Sequence, residues 1–347
     1  MTPTPTPVNL SDLTEEARSL NPLLDTASVG VMVASRWRRA KGFGPIDPLL
    51  SDPAVSEIMI NGSGEVWVDR GEEVERSGIT MTADEVGLLI ERILDPLGLR
   101  VDQTAPIVDA RLPDGSRVNI VVPPLAIDGP VVTIRRFTER PVPVGAFGDR
   151  SLVAALSDLI DDRATILVVG GTSSGKTTLL NALGGLLDPE ERLVTIEDTA
   201  ELRLPGTNTV SLEGREANSE GVGEVTMRAL VRTALRMRPD RLIVGEVRGP
   251  EALDLILALN TGHRGSLATC HANAPAAALE RLVALAVVGA PGLSWESLRF
   301  QVATAIDAVV HVERIGPSRL VSEVAMVDDG PRLQTTPVWR RQPRLVS

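Results

Sequence analysis

The apolar and polar positions along residues 45–140 predict a small α/β domain. Two short apolar segments flank a Gly-Ser-Gly turn at 62–64, a pattern typical of a β-hairpin. From Val86 to Leu97, apolar residues recur at i, i+3, i+4 and i+7, so this segment is predicted to be an amphipathic helix. The predicted strands of the domain are 57–61, 65–69, 117–122 and 131–137.

Residues 151–347 show a different pattern, in which short apolar strands alternate with helices. This order favours a mainly parallel sheet covered by helices, and the chain is therefore expected to have an α/β fold with two domains. The predicted strands are 166–169, 192–196, 242–245 and 266–269, the predicted helices are 226–237, 250–259 and 275–287, and one or two strands are expected within 316–347. Proline and glycine at 141–150 predict a linker, and residues 1–44 are expected to be partly disordered or helical.

One stretch of the second domain carries a phosphate-binding signature. The pattern G-x-x-x-x-G-K-[ST] runs from Gly170 to Thr177, directly after a predicted strand and before a leucine-rich helix, a context that an ordinary glycine-rich turn lacks. Such loops surround phosphate oxygens with backbone N–H groups at a helix N-terminus. Lys176 can reach the β- and γ-phosphates of ATP, and the Thr177 hydroxyl can ligate Mg²⁺. The residues predicted to bind the nucleotide are Gly170, Gly171, Thr172, Ser173, Ser174, Gly175, Lys176, Thr177 and Thr178.

Composition narrows the class of protein that contains this loop. The net charge of −11 disfavours binding to nucleic acid or directly to anionic lipid. With 2% aromatic residues and no tyrosine, stacking platforms for single-stranded nucleic acid are scarce. A single cysteine, Cys270, suits a reducing cytoplasm, and neither a secretory signal nor an apolar run of about 18 residues is evident. We therefore expect a cytoplasmic protein with no nucleic-acid partner.

Carboxylates follow two of the predicted strands in the second domain. Because ligands bind at the carboxyl ends of parallel strands, these residues are expected near the phosphate loop. Glu246 follows the strand LIVG and can activate the attacking water or hold Mg²⁺ through water; the alternative is a salt bridge with Arg248. Glu201 belongs to the acidic run Glu197–Glu201, which would repel itself without a nearby cation such as Mg²⁺; the alternative is a solvated loop.

Two further groups of residues are candidates for the site. His263 and His271 bracket a predicted strand and suit a γ-phosphate sensor or a contact between subunits better than a metal site. Cys270 is expected to be a small buried residue. Arginines cluster in the first domain of this acidic chain, where they can contact phosphate or form weak surface salt bridges; they are Arg111, Arg117, Arg135 and Arg136. Within the second domain, Arg248 is the only arginine expected beside the phosphate loop, so charge neutralisation is expected from another domain or subunit.

Seven ordered motifs give the chain a family resemblance. It resembles the secretion ATPases of type II secretion, type IV pili and type IV secretion, and is most similar to the CpaF/TadA group of tight-adherence (Flp) pili. Ser173 stands where glycine is usual in these proteins. The motifs are GPIDPLLSDPAVSEIMING, VDARLPDGSRVN, GPVVTIRRF, GGTSSGKTTLLNAL, VTIEDTAELRL, ALRMRPDRLIVGEVRGPEALD and TGHRGSLATCHAN.

The resemblance implies a ring-shaped homo-hexamer in which an N-terminal α/β domain precedes a RecA-like ATPase domain. ATP and Mg²⁺ are the implied cofactors, and an inner-membrane platform protein is the implied partner. The resemblance assigns Lys176 and Thr177 to Walker A, Glu246 to Walker B as general base, and Glu201 to the Asp box. It also assigns His263 and His271 to the His box and the four arginines to nucleotide contact.

Three functions are compatible with the sequence. The first is a hexameric ATPase that powers pilus assembly or protein secretion. The second is a nucleotide-dependent assembly or regulatory subunit with little turnover, which the intact acidic motifs disfavour. The third is a DNA motor, which the acidic composition disfavours.

Overall fold

The structure is a computed structural model that describes residues 42–71, 73–136, 142–215, 222–290, 292–316, 318–328, 330 and 332–342. The chain divides into two units, residues 1–138 and 139–347. Most of the segment predicted for 1–44 lies outside the described residues, as does position 141 of the predicted linker.

The first unit is built on a six-stranded antiparallel sheet with the order β3-β2-β1-β6-β5-β4. Alternate residues of β1, β2, β5 and β6 are buried, and they pack with the apolar face of α2 in one hydrophobic core. Its elements are a 3₁₀ turn Gly44–Ile46, α1 Asp47–Ser51, β1 Glu57–Asn61, β2 Gly64–Asp69, β3 Val74–Met81, α2 Ala83–Leu94, a 3₁₀ turn Asp95–Leu97, β4 Ile107–Arg111, β5 Arg117–Val121 and β6 Val131–Arg135. The apolar pattern of the sequence did not predict β3 or β4.

The second unit contains an eight-stranded sheet with the order β14-β13-β12-β7-β11-β10-β8-β9. Six neighbouring strands of this sheet run parallel, namely β12, β7, β11, β10, β8 and β9. Strands β13 and β14 extend the sheet in antiparallel fashion. Its elements are a 3₁₀ turn Val144–Ala146, α3 Arg150–Asp161, β7 Ile166–Gly170, α4 Lys176–Gly184, β8 Leu193–Glu197, β9 Thr209–Glu213, α5 Met227–Ala234, β10 Arg241–Val244, α6 Glu251–Asn260, β11 Leu267–His271, α7 Pro275–Gly289, α8 Trp295–Ala305, β12 Ala308–Ile315, β13 Ser318–Val327 and β14 Thr335–Arg340.

The central strands of this sheet are buried on both faces. Every residue of β7, β8 and β10 is buried, as a parallel sheet covered by helices requires. The expected α/β fold with a mainly parallel sheet is thus confirmed. Part of the stretch expected as a linker belongs to this unit, because Val144 and Phe147 are buried in its core. Within the described residues, no helix is both long and apolar enough to cross a bilayer.

Candidate active site

The parallel strands of the second unit bring the chemical groups together at one edge of the sheet. Strands β7, β8, β10 and β11 all point the same way, so the residues at or just after their carboxyl ends share that edge. The phosphate loop follows β7, Glu197 ends β8, Glu246 is the second residue after β10, and His271 ends β11.

The loop between β7 and α4 has the backbone that its glycines permit. Gly175 caps the N-terminus of α4 with a φ of +101°, a backbone angle that residues with a side chain rarely adopt. Gly170 is also required, since a Cβ there would lie 2.3 Å from the Val312 carbonyl oxygen. Ser173 has a φ of +57°, which explains why glycine is favourable at this position in a loop of this shape. The serine therefore adopts the left-handed backbone at some energetic cost.

Lys176 begins α4 and is buried against the loop. Its Nζ lies 2.8 Å from the Gly171 carbonyl oxygen, 3.3 Å from that of Gly170 and 3.3 Å from Nδ1 of His271. Burial lowers the pKa of the Lys176 ammonium below its usual value. Since lysine can only donate hydrogen bonds, Nδ1 of His271 must be the acceptor.

His271 and Arg248 both contact the carboxylate of Glu246. Burial lowers the pKa of His271, so at pH 7 the ring is mainly neutral and carries its proton on Nε2. Glu246 Oε1 lies 2.8 Å from this Nε2, but the atoms are not aligned for a hydrogen bond, and Oε1 is buried without a donor. Arg248 Nη2 lies 2.6 Å from Oε2, and its Nη1 lies 3.3 Å from Oδ2 of Asp198. A continuous polar chain therefore leads from Lys176 to the acidic run.

The acidic run is organised by Glu197, which is 3% exposed. Glu197 Oε1 accepts hydrogen bonds from the backbone N–H groups of Glu201, at 2.8 Å, and Leu202, at 3.0 Å. Burial raises the pKa of Glu197 to about 7, with a smaller contribution from the negative charge of Glu201. The backbone of Glu201 is thereby fixed. Glu246 contributes most to raising the pKa of Arg248, and the carboxylates of Asp198 and Glu201 raise it further. The run is thus neither a solvated loop nor a set of three equivalent carboxylates.

The described residues fit a nucleotide with Mg²⁺ better than a metal ion held by protein alone. No three His, Cys, Asp or Glu side chains in the described part of the chain converge as metal ligands would. Mg²⁺ is usually held by one or two protein ligands together with phosphates and water. Ser174 Oγ and Glu246 Oε1 are buried polar atoms without partners, and both belong to this edge of the sheet. Thr177 is half-buried in the first turn of α4, where its hydroxyl can serve such an ion.

The structure does not bring His263 into this cluster. His271 is the last residue of β11, whereas His263 lies four positions before the first, Leu267, so the two histidines are at opposite ends of that strand. His263 Nδ1 lies 3.0 Å from the Ala258 carbonyl oxygen near the end of α6. Cys270 is buried, as expected, and burial raises the pKa of its thiol to about 11.

The four arginines of the first unit do not form one group. Arg111, Arg117 and Arg135 are directly opposite one another across β4, β5 and β6, so they form a row on one face. Arg136 is separate, because its guanidinium donates to the backbone carbonyls of Asp52 and Val55. We infer a structural role for Arg136.

The sequence pattern missed one arginine of the second unit. Arg319, on β13, packs its side chain against Gly175 and donates from Nη1 to Thr178 Oγ1 at 3.4 Å. The expectation that Arg248 alone lies beside the loop is therefore wrong. No local signal marks Arg319, since β13 reaches the loop only through its pairing with β12, which in turn pairs with β7.

Comparison with known proteins identifies the family of this chain. A family described as "Type II/IV secretion system protein" matches residues 39–326. The putative conjugal transfer protein Rv3659c of Mycobacterium tuberculosis is 41% identical over 313 residues, covering 86% of this chain and 88% of that protein. The type IV secretion system protein PtlH of Bordetella pertussis is 35% identical over 305 residues, covering 78% and 88%.

A solved structure agrees at the level of the fold. The pilus retraction motor PilT with bound ADP has a TM-score of 0.62 and 20% identity, covering 83% of each chain. The family model matches most of this chain, and the similarity to Rv3659c and to PtlH extends over most of both chains in each comparison. This chain therefore belongs to the type II/IV secretion system protein family.

Proposed function

We propose that this chain binds ATP with Mg²⁺ and hydrolyses it to ADP and phosphate. The observation that carries the proposal is the polar chain Lys176–His271–Glu246 at the mouth of the phosphate loop. It joins the Lys176 amine, which would bind phosphate, to the Glu246 carboxylate, whose Oε1 is buried and lacks a hydrogen-bond donor. Activation of water beside a γ-phosphate needs such a carboxylate near the phosphate-binding amine.

Each residue has a distinct role in this proposal. Residues 170–178 hold the phosphates, and Lys176 contacts the β- and γ-phosphates. Glu246 Oε1 orients the attacking water and accepts its proton, and the neutral ring of His271 senses the γ-phosphate. Thr177 would hold Mg²⁺, and Glu201 and Glu246 would act on it through water; the ion would neutralise charge on the phosphates. Arg248 pairs with Oε2 of the same carboxylate, and release of this guanidinium would leave the charge of Glu246 free to polarise the water.

The arginine row of the first unit supplies further positive charge in the proposal. Arg111, Arg117 and Arg135 would contact the nucleotide, within the same chain or from a neighbouring subunit. Guanidinium groups suit this role because their N–H donors can bind phosphate oxygens in pairs. His263 would act at a contact between subunits, because it lies away from the loop.

At the level of the assembly, we propose a homo-hexameric motor. The ring would act on an inner-membrane platform protein of a secretion or pilus system and would lie at the cytoplasmic face of the membrane. The motifs favour the tight-adherence pilus group, whereas Rv3659c carries a conjugal-transfer name and PtlH a type IV secretion name. Sizing the protein with and without an ATP analogue tests the ring, and a hexamer is the expected result.

Two substitutions test the enzymatic proposal. Lys176→Ala is expected to abolish ATP binding, and Glu246→Gln is expected to preserve binding while reducing turnover by at least about a hundredfold. Turnover that survives both changes would refute the assigned roles. A wild-type protein that binds no ATP would refute the whole proposal.

A regulatory subunit with little turnover is the second candidate. The observation that favours it is the contact of both Glu246 oxygens with neighbouring cationic or ring groups. Single-turnover hydrolysis by the purified protein separates the two functions. Stimulation of turnover by DNA would instead favour a DNA motor.

A further inference from the structure

Arg319 lies directly over the phosphate loop of its own unit. A Cβ placed on Gly175 would be 2.7 Å from Cδ of Arg319 and 3.2 Å from its Cβ and Cγ, so the apolar stem of the arginine covers this glycine. The guanidinium reaches beyond it, and Nη1 donates to Thr178 Oγ1 at 3.4 Å. The stem is thus fixed by packing, while the charged end lies beside the first turn of α4.

This location is unfavourable for a cation by itself. The N-terminus of α4 carries partial positive charge, and the Lys176 ammonium is in the same turn. In the described part of the chain, no carboxylate lies within ion-pair distance of Arg319. Arg340, on the neighbouring strand β14, does have such a partner, with Nε 3.3 Å from Glu323 Oε2. An anion bound at the loop would attract the Arg319 guanidinium and offset its repulsion by Lys176 and by the N-terminus of α4.

The position along the loop indicates which phosphate this anion is. Lys176 reaches the β- and γ-phosphates in loops of this kind, and Thr177 serves the metal ion. Thr178 is one residue further along α4, and Arg319 contacts it. We propose that Arg319 binds the α-phosphate of the nucleotide held by residues 170–178, an inference that rests on the proposed ATP site. Its planar fork of N–H donors suits phosphate oxygens.

Arg319→Met is the main test, because methionine keeps an apolar stem on Gly175 and removes the charge. ATP and ADP both contain the α-phosphate, so their affinities are expected to fall by the same factor, about tenfold or more. Inorganic tripolyphosphate, whose outer phosphate takes the same place, is expected to weaken similarly. Arg319→Lys should recover part of the loss, and the control Arg340→Ala should leave all three affinities unchanged.

Other patterns of binding would overturn the inference. A loss for ATP alone would place the guanidinium at the γ-phosphate, and a loss for ATP and ADP but not tripolyphosphate would place it at the ribose or base. Unchanged binding in both Arg319 variants, each with a wild-type melting temperature, would exclude any contact. If the wild type binds ATP and Lys176→Ala abolishes binding, such a result refutes the role of Arg319 alone. If the wild type binds no nucleotide, the proposed function fails first.

Discussion

Arg248 and Glu246 are paired at 2.6 Å between Nη2 and Oε2, although they are separated by only Val247 in the chain. The side chain of Glu246 is 16% exposed, whereas that of Arg248 is 60% exposed and also contacts Asp198. The carboxylate is thus the fixed member of the pair and the guanidinium the movable one. The salt bridge with Arg248 that the sequence offered for Glu246 is confirmed, and its role as a base stays a prediction.

The Arg248 pair leads to a prediction about turnover. Once released by Glu246, the exposed guanidinium can move to the γ-phosphate and neutralise negative charge there. An arginine in this role raises the rate of phosphoryl transfer by orders of magnitude. Arg248→Ala is therefore expected to lower kcat at least about tenfold while changing the Kd for ATP by less than about threefold. Steady-state kinetics and equilibrium binding measure the two effects. An increase in kcat would show instead that Arg248 only restrains Glu246.

The buried Glu197 leads to a prediction about pH and stability. Because its folded pKa, about 7, lies above its ordinary value of 4.5, its contribution to stability is fully present below pH 4.5 and is lost as the pH rises through 7. The loss is on the order of 3 kcal/mol. Glu197→Gln keeps a carbonyl oxygen for the N–H groups of Glu201 and Leu202 but cannot ionise.

Urea unfolding at several pH values between 4.5 and 8 measures this effect. The free energy of unfolding of the wild type is expected to fall relative to Glu197→Gln as the pH rises across this window. The exposed Glu296→Gln is the control and should track the wild type. Parallel curves for wild type and Glu197→Gln would contradict the raised pKa.

Lys176 leads to a prediction that separates binding from stability. The ammonium is buried, with a lowered pKa, so its charge does not favour the fold without an anion. Lys176→Met fills a similar volume, and we expect the free energy of unfolding to change by no more than about 1 kcal/mol. The rise in melting temperature on adding ATP should disappear. A variant that unfolds in the absence of nucleotide would show that the lysine is structural.

Two positions of the phosphate loop give opposite predictions, one for gaining a glycine and one for losing a glycine. Ser173→Gly relieves a left-handed backbone and is expected to leave ATP binding intact, with stability unchanged or up to about 1 kcal/mol higher. Gly175→Ala introduces a Cβ both at a φ of +101° and against Arg319, and is expected to weaken ATP binding and lower stability by about 1–3 kcal/mol. Thermal melts with and without ATP test both. Equal behaviour of the two variants would contradict the backbone explanation.

The periodic elements followed directly from the sequence. The strands at 57–61 and 131–137 and the helices at 250–259 and 275–287 agree with β1, β6, α6 and α7 to within two residues at each end. These segments have strong apolar periodicity, and the residues that determine it are buried. Strand β3 was missed because most of its residues are not buried and its apolar residues show no regular alternation. Strand β9 does alternate, but it is short, with Val210 and Leu212 as its apolar residues, and none of its five residues is buried.

The sequence by itself determined the phosphate loop, because its chemistry depends on a short contiguous segment from Gly170 to Thr178. It also placed Glu246 and His271 at strand ends, because the direction of a parallel strand fixes which end carries the ligand. Only the tertiary structure separated His263 from that edge, assigned Glu197 to support of the acidic run, and placed Arg319 over Gly175. These relationships depend on strand order and burial, which join residues far apart in the chain and leave no local pattern.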